Sequence, residues 1–195
     1  MPEIGLTDFV DFCLKAGPTQ LTKVRELKTR PDYDPATDYW KRLRDGLTAF
    51  VCGVIDMKQL EEQVAEASRG KQRNYAHALV GFKKFDARKP DGVPGVGPSG
   101  RWSEGELIVR VTPEIAFCRD NQRTCIKLYF KGEPRPTKDR LGAILVLMQE
   151  TFPKDRVGVL DVRSARLYDE LPRRSSMDVF LRAQAHALIH MWNGI

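Results

Sequence analysis

Long apolar runs are missing from this chain. That excludes a membrane-spanning helix, which needs about 20 consecutive apolar residues. No charged stretch followed by an apolar one opens the N-terminus, so no secretory signal is read and the expected setting is the cytoplasm. Cysteine is scarce: Cys13, Cys52, Cys118 and Cys125 are spaced like core residues, and none makes the CxxC pair of a metal knuckle. Cys118 and Cys125 fall where they could face each other across a hairpin, as thiols if the compartment is reducing. Nucleophile motifs are absent too: there is no GxSxG elbow, no Cys–His motif and no kinase signature. The glycine-rich run GVGPSG lacks the GK[ST] ending of a phosphate loop and carries a proline. No internal repeat is visible.

Histidine is rarer still. His186 and His190 stand four apart on a predicted C-terminal helix, so they share a face and could hold a metal. The intervening sequence HALIH lacks the glutamate of a zinc protease, and His77 is remote in the chain. A surface or interface pair is the expectation, and no metal ligand is assigned.

What the chain does have is concentrated positive charge. Arg69, Lys71, Arg73, Lys83, Lys84, Arg88, Lys89 and Arg101 face only Asp86 and Asp91 within their segment, which accounts for the whole net charge of +6. Such a concentration attracts polyanions and steers their approach. The alternative is a solvated surface loop. DNA or RNA is the partner class this segment suggests.

The N-terminal half is helical in pattern. Phe9, Val10, Cys13 and Leu14 suit a short helix begun at Thr7, and Pro18 opens a second with Leu21, Val24 and Leu27 inward and Lys23, Arg25 and Lys28 in water. Asp34-Pro35 is expected to start a third, with Leu43, Leu47 and Val51 on its apolar face. Asp56 caps a fourth, carrying Leu60 and Val64 inward and Glu61, Glu62 and Glu66 outward. The stretch from Tyr75 to Phe85 fits a helix or a strand. From Lys89 to Gly105 glycine and proline dominate, so a structureless linker or loop is expected.

Beyond it, alternation over Leu107, Val109 and Val111 marks a strand, which bends at Pro113 and resumes through Ile115 and Phe117. Asp120-Asn121-Gln122 turns it into a return strand with Ile126, Leu128 and Phe130 on one face and Cys125, Lys127 and Tyr129 on the other. A helix capped by Thr137 follows, apolar nearly all round and therefore buried on two sides. Val157, Val159, Leu160 and Val162 form a buried strand, and Ser164-Ala165 turns it toward Arg166–Tyr168. The last helix, capped by Ser175 or Ser176, would bury Val179, Phe180, Ala183, Ala187, Leu188, Met191 and Trp192. Asp161, in its apolar strand, needs a partner: Arg163 by default, or a role as a site acid.

One order of elements suggests chemistry. An acidic helix with Glu62 and Glu66, then Pro113-Glu114 on one strand, Cys125-Ile126-Lys127 on its neighbour, then a helix and a strand, resembles the PD-(D/E)XK nuclease core over residues 57–163. The resemblance implies that Glu114 matches the first acid and Lys127 the lysine that supports the oxyanion. It also implies a divalent metal such as magnesium, which two acids would hold to activate water. Cys125 replaces the second acid, and a thiol is a poor magnesium ligand. An active enzyme would need Asp161 or Glu66 in its place. The plainer reading is that Glu114 and Lys127 pair across the hairpin.

These readings give an α+β fold: a helical N-terminal half followed by a small mixed β-sheet with covering helices, in the order β-hairpin, helix, strand, C-terminal helix. The chain divides into a helical region over 1–88, a linker or loop over 89–105 and an α/β region over 106–195, as one compact domain. Glu114, Lys127 and Asp161 are the candidate catalytic residues, and the eight basic side chains between Arg69 and Arg101 the candidate nucleic-acid contacts. Trp102 and Tyr129 would be stacking groups. The expected function is nucleic-acid binding on a nuclease-like core, with its catalytic activity left open. The alternative is an interaction module, a homodimer formed through the last helix or a sheet edge.

Overall fold

The computed structural model describes residues 1–31, 37–131, 136–172 and 174–195, with backbone alone at 174 and 175. The fold is α+β, a helical N-terminal region followed by mixed sheets with interspersed helices and a C-terminal helix. A short strand β1 (Glu3–Gly5) leads into α1 (Leu6–Cys13), which starts one residue ahead of Thr7 and buries Leu6, Phe9, Val10, Phe12 and Cys13. Pro18 sits at the start of α2 (Pro18–Lys28), as its fixed φ favours. Lys23, expected in water, is only 7% exposed there, its ammonium held by Asp8 at 3.1 Å and Glu26 at 2.9 Å. A buried cation survives because two carboxylates replace its water.

The expected helix start at Asp34-Pro35 lies outside the described residues, and α3 runs over Lys41–Val51 with Leu43, Leu47 and Val51 buried. At the start of α4 (Met57–Ala65), Asp56 and Gln59 form a reciprocal capping box. The ambiguous Tyr75–Phe85 stretch is helical, within the long α5 (Arg69–Asp86). Tyr75, Ala78, Leu79, Phe82 and Phe85 make one buried stripe along it, and Val80 stays exposed.

The segment expected to lack structure contains two strands, β2 (Val93–Val96) and β3 (Gly100–Glu104). Sheet pairing is made by the backbone, so a glycine- and proline-rich stretch can still pair when a partner is beside it. Gly97 shows how close that partner comes: a Cβ there would lie 2.1 Å from the Pro113 carbonyl oxygen. The strand read through Pro113 is in fact two. β4 (Leu107–Val111) lies between β1 and β3 in a three-stranded sheet, whereas β5 (Ile115–Arg119) belongs to a five-stranded one. The chain changes sheets at 112–114, where proline offers no N–H to a ladder.

The five-stranded sheet has the order β2-β5-β6-β7-β8, with β6 spanning Gln122–Tyr129, β7 Arg156–Asp161 and β8 Arg166–Tyr168. β6 and β7 are parallel, joined by the crossover helix α6 (Lys138–Thr151); the other pairs are antiparallel. α6 is buried from Leu141 to Met148, as its all-round apolarity requires. The sheet carries two cores. One face meets α3, α4 and α5 through Ile115, Phe117, Ile126 and Leu128. The other, through Ala116, Cys125, Tyr129 and Val159, meets α1, α6, the three-stranded sheet and the last helix α7 (Arg174–Asn193). No described helix is long and apolar enough to cross a membrane.

α7 starts ahead of both serines expected to cap it and buries Leu181, Ala185 and Leu188, whereas Val179 is exposed. An ionic cluster pins it: Arg182 meets Glu104, Glu150 at 3.1 Å and Asp178 at 3.0 Å. Burial pushes the Glu150 carboxyl above its ordinary range; the Trp102 N–H opposes this, and the neighbouring Asp178 carboxyl reinforces it.

Two predictions follow from this packing. Gly81 lies where a Cβ would stand 2.1 Å from the Val162 carbonyl oxygen. Gly81→Ala is expected to lower the urea midpoint by the equivalent of about 2 kcal/mol or more, as overpacking does. Because the folded state raises the affinity of Glu150 for its proton, that contribution is full below the ordinary carboxylate range and is lost as pH rises through the raised value. In a thermal melting series across pH, Glu150→Gln should therefore flatten the loss of stability between acid and neutral conditions.

Candidate nucleic-acid interface

A two-residue turn fixes the hairpin register. Asp120 and Asn121 take φ of +50° and +61°, the left-handed values that tight hairpins need and that these residues tolerate. Ile115 then pairs with Ile126, which leaves Glu114 just past the ladder and beside Lys127. The Lys127 ammonium donates to Glu114 Oε1 and, at 3.1 Å, to the Thr112 carbonyl. Glu114 Oε2 accepts the Leu128 N–H at 2.6 Å. The two side chains are 9% and 15% exposed, and they reach the floor of a cleft of about 890 Å³ between the start of α1, α3 and the 97–99 turn.

The structure thus brings Glu114 and Lys127 together, but both carboxylate oxygens are already committed to the sheet. Cys125 is fully buried, and burial, helped by the Asp155 carboxylate 3.6 Å away, pushes its thiol up to about 12. A buried protonated thiol offers a hard cation nothing. Neither proposed replacement lines this cleft. Glu66 pairs with Arg42 at 2.9 Å on the outer side of α4, and Glu62 is exposed. Among the described residues no group of three or more His, Cys, Asp or Glu is arranged to hold a metal ion. The donor set does not fit magnesium.

Asp161 has a different occupation from the ion pair expected of it. It is 5% exposed, and its carboxylate accepts the Ser164 hydroxyl at 2.6 Å and the Arg163 backbone N–H at 3.2 Å. The Arg163 guanidinium turns away, to Nδ1 of His77 at 2.8 Å. Since arginine only donates, this imidazole nitrogen must accept.

The eight basic residues divide by occupation. Lys83 is paired with Glu61, Lys89 with Asp86 at 2.7 Å, and Arg101 sits 3.8 Å from Glu3. Lys71 lies over the Tyr39 ring, 5.4 Å from its centre, and Arg88 donates to the Lys84 and Ala165 carbonyls at 3.1 and 3.2 Å. Among the described residues, no carboxylate lies within ion-pair distance of Arg69, Arg73 or Lys84. Arg69, Arg73 and His77 follow each other at four-residue spacing on α5. With Gly70, Asn74 and Arg163 they line a groove of about 770 Å³ to which no carboxylate among the described residues contributes. Arg163 was missed because its strand neighbour Asp161 looked like its partner; the available signal was the spacing of His77 behind Arg69 and Arg73.

The expected stacking rings are not at the surface. Trp102 is buried with its N–H on Glu150 at 2.6 Å, and Tyr129 is buried as well. Cys118 stands opposite Arg123 rather than Cys125, which pairs with Ala116; all four cysteines are free. His186 is exposed with Nε2 3.2 Å from Glu104, and His190 is exposed too. No protein-family model matches this chain, and no curated protein and no solved structure matches it either.

Because Glu114 satisfies both a half-buried ammonium and a strand N–H, Glu114→Ala should act on stability. A loss of about 3 kcal/mol is expected in urea unfolding, the cost of leaving a buried partner uncompensated.

Proposed function

We propose that this protein binds nucleic acid through the phosphate backbone, using the cationic face of α5, on a core with a nuclease-like order of elements that does not cleave. The observation that carries the reading is the groove in which Arg69, Arg73 and Arg163 converge, with no carboxylate among its described lining residues. Arginine is the side chain best matched to phosphate, since its planar fork gives paired donors. Absence of cleavage follows from the donor chemistry at Glu114 and Cys125, which leaves a divalent metal without its acids. The same reading places the protein in the cytoplasm, where its free thiols stay reduced.

A second reading, association with another copy of this chain, draws on β2. It is an edge strand of the five-stranded sheet, with Val93 and Val96 74% and 70% exposed. Uncovered edge strands with apolar side chains invite pairing.

Labelled DNA and RNA of mixed sequence, titrated at low and moderate salt with and without magnesium, separate the readings. Three phosphate contacts predict that affinity falls about 40-fold between about 50 and 200 mM salt. Intact product in magnesium is the expected result. Cleavage lost in Glu114→Ala would overturn the inactive core. Absence of binding at low salt, with salt-insensitive dimerisation, would replace this reading by the second one.

A further inference from the structure

The turn between β7 and β8 is held far more firmly than its length requires. Ala165 stands at φ +58°, a left-handed conformation that a residue with a Cβ adopts only against strain. Its carbonyl accepts from Arg88 at 3.2 Å. The buried Asp161 carboxylate ties down Ser164 and the Arg163 N–H. From the other side, Gly81 lets α5 approach the Val162 and Arg163 carbonyls to distances at which a Cβ would collide, 2.1 and 2.6 Å. All these contacts converge on the one residue of the turn whose side chain enters the cationic groove.

We propose that the β7–β8 turn is a built mount for Arg163, and that the groove between Arg163 and the Arg69–Arg73 side of α5 clamps the backbone of a duplex nucleic acid. The inference rests on the nucleic-acid reading and names its substrate class. His77 completes the mount: by accepting from the guanidinium it sets the direction in which Arg163 faces the groove. Duplex is favoured over single strand by the state of the lining. Among the described residues it is made of arginine, glycine, asparagine and histidine, and the Tyr39 ring beside it is held through its hydroxyl by the Gly70 carbonyl at 2.9 Å and Asn74 at 2.8 Å, with Lys71 over its face. Single-strand binders gain much of their affinity from bases stacked on aromatic rings. Fixed guanidinium groups suit a partner whose phosphates are themselves fixed, and they read no base sequence. Asp161 is a positioning residue in this scheme.

The test is fluorescence anisotropy with labelled DNA duplex, RNA duplex and the matching single strands, across a salt series. Arg163→Ala is expected to weaken duplex binding about 10-fold and to reduce the salt slope by about 1. Arg163→Lys should recover the slope but only part of the affinity, because lysine lacks the fork. Asp161→Asn is the discriminating variant. It removes a negative charge beside the groove, so charge alone predicts tighter binding, whereas loss of the mount predicts weaker binding. Ser164→Ala loosens the same turn with no change of charge and should also weaken binding; it serves if Asp161→Asn does not fold. Tighter or unchanged binding in the folded Asp161 variant, or in Ser164→Ala if that variant is needed, would overturn the mount. Single strands bound more tightly than duplex would overturn the substrate class. Wild-type binding that falls in Arg73→Ala yet is unmoved in Arg163→Ala would overturn this inference and leave the broader reading standing. No wild-type binding to any strand would remove both.

Discussion

Burying both faces of β6 requires two cores, because Ile126 and Leu128 alternate along one strand with Cys125 and Tyr129. An alternating strand usually leaves one face to water. Here the polar face is missing, and the chain supplies a layer for each side: three N-terminal helices on one, and α1, α6 and α7 with a second sheet on the other. Lys127 is the exception within the buried stretch of this strand, Cys125 to Tyr129. Its charge is tolerated because it points at the one place where the chain leaves the ladder, and Glu114 and a free carbonyl await it there. The pair therefore closes the gap between the two sheets.

The distribution of charge follows from the same economy of partners. Carboxylates are spent where burial demands them, on Lys23 and on Lys127. Within the 69–101 segment, Arg69, Arg73 and Lys84 have no carboxylate within ion-pair distance among the described residues, and all three stand on α5, whose inner side is filled by the second core. The other cations of the segment are engaged by acids, a ring or carbonyls. The proposed phosphate contacts draw on the first group together with Arg163.

Much of the fold was legible in the sequence, for reasons that differ by element. The Asp56 cap, the proline opening α2, the Asp120-Asn121 turn and the all-round apolarity of α6 are local signals, and local physics decides them. β2 and β3 were not legible, since their pairing depends on β4 and β5 passing alongside and not on their own side chains. Lys23 went wrong for a related reason: its acids come partly from Asp8, on another helix. At the candidate site, Glu114 and Lys127 were singled out by the motif they resemble, and their pairing was legible because a hairpin joins them. Arg163 was not, because the distance from α5 to the β7–β8 turn is a tertiary fact. The start expected for the third helix falls on residues outside those described.

Lys28, at the end of α2, donates to the carbonyls of Trp192 at 2.9 Å and Ile195 at 3.1 Å, and Gln20 meets Gln184 at 2.6 Å. The first helices are thereby completed by the last one. On the ribosome, α1 and α2 emerge well before α7 with their apolar faces uncovered, and their core cannot close until the residues around Leu188 have been synthesised. Contacts so distant in sequence make for slow assembly. These two helices must therefore be kept from premature association across that interval.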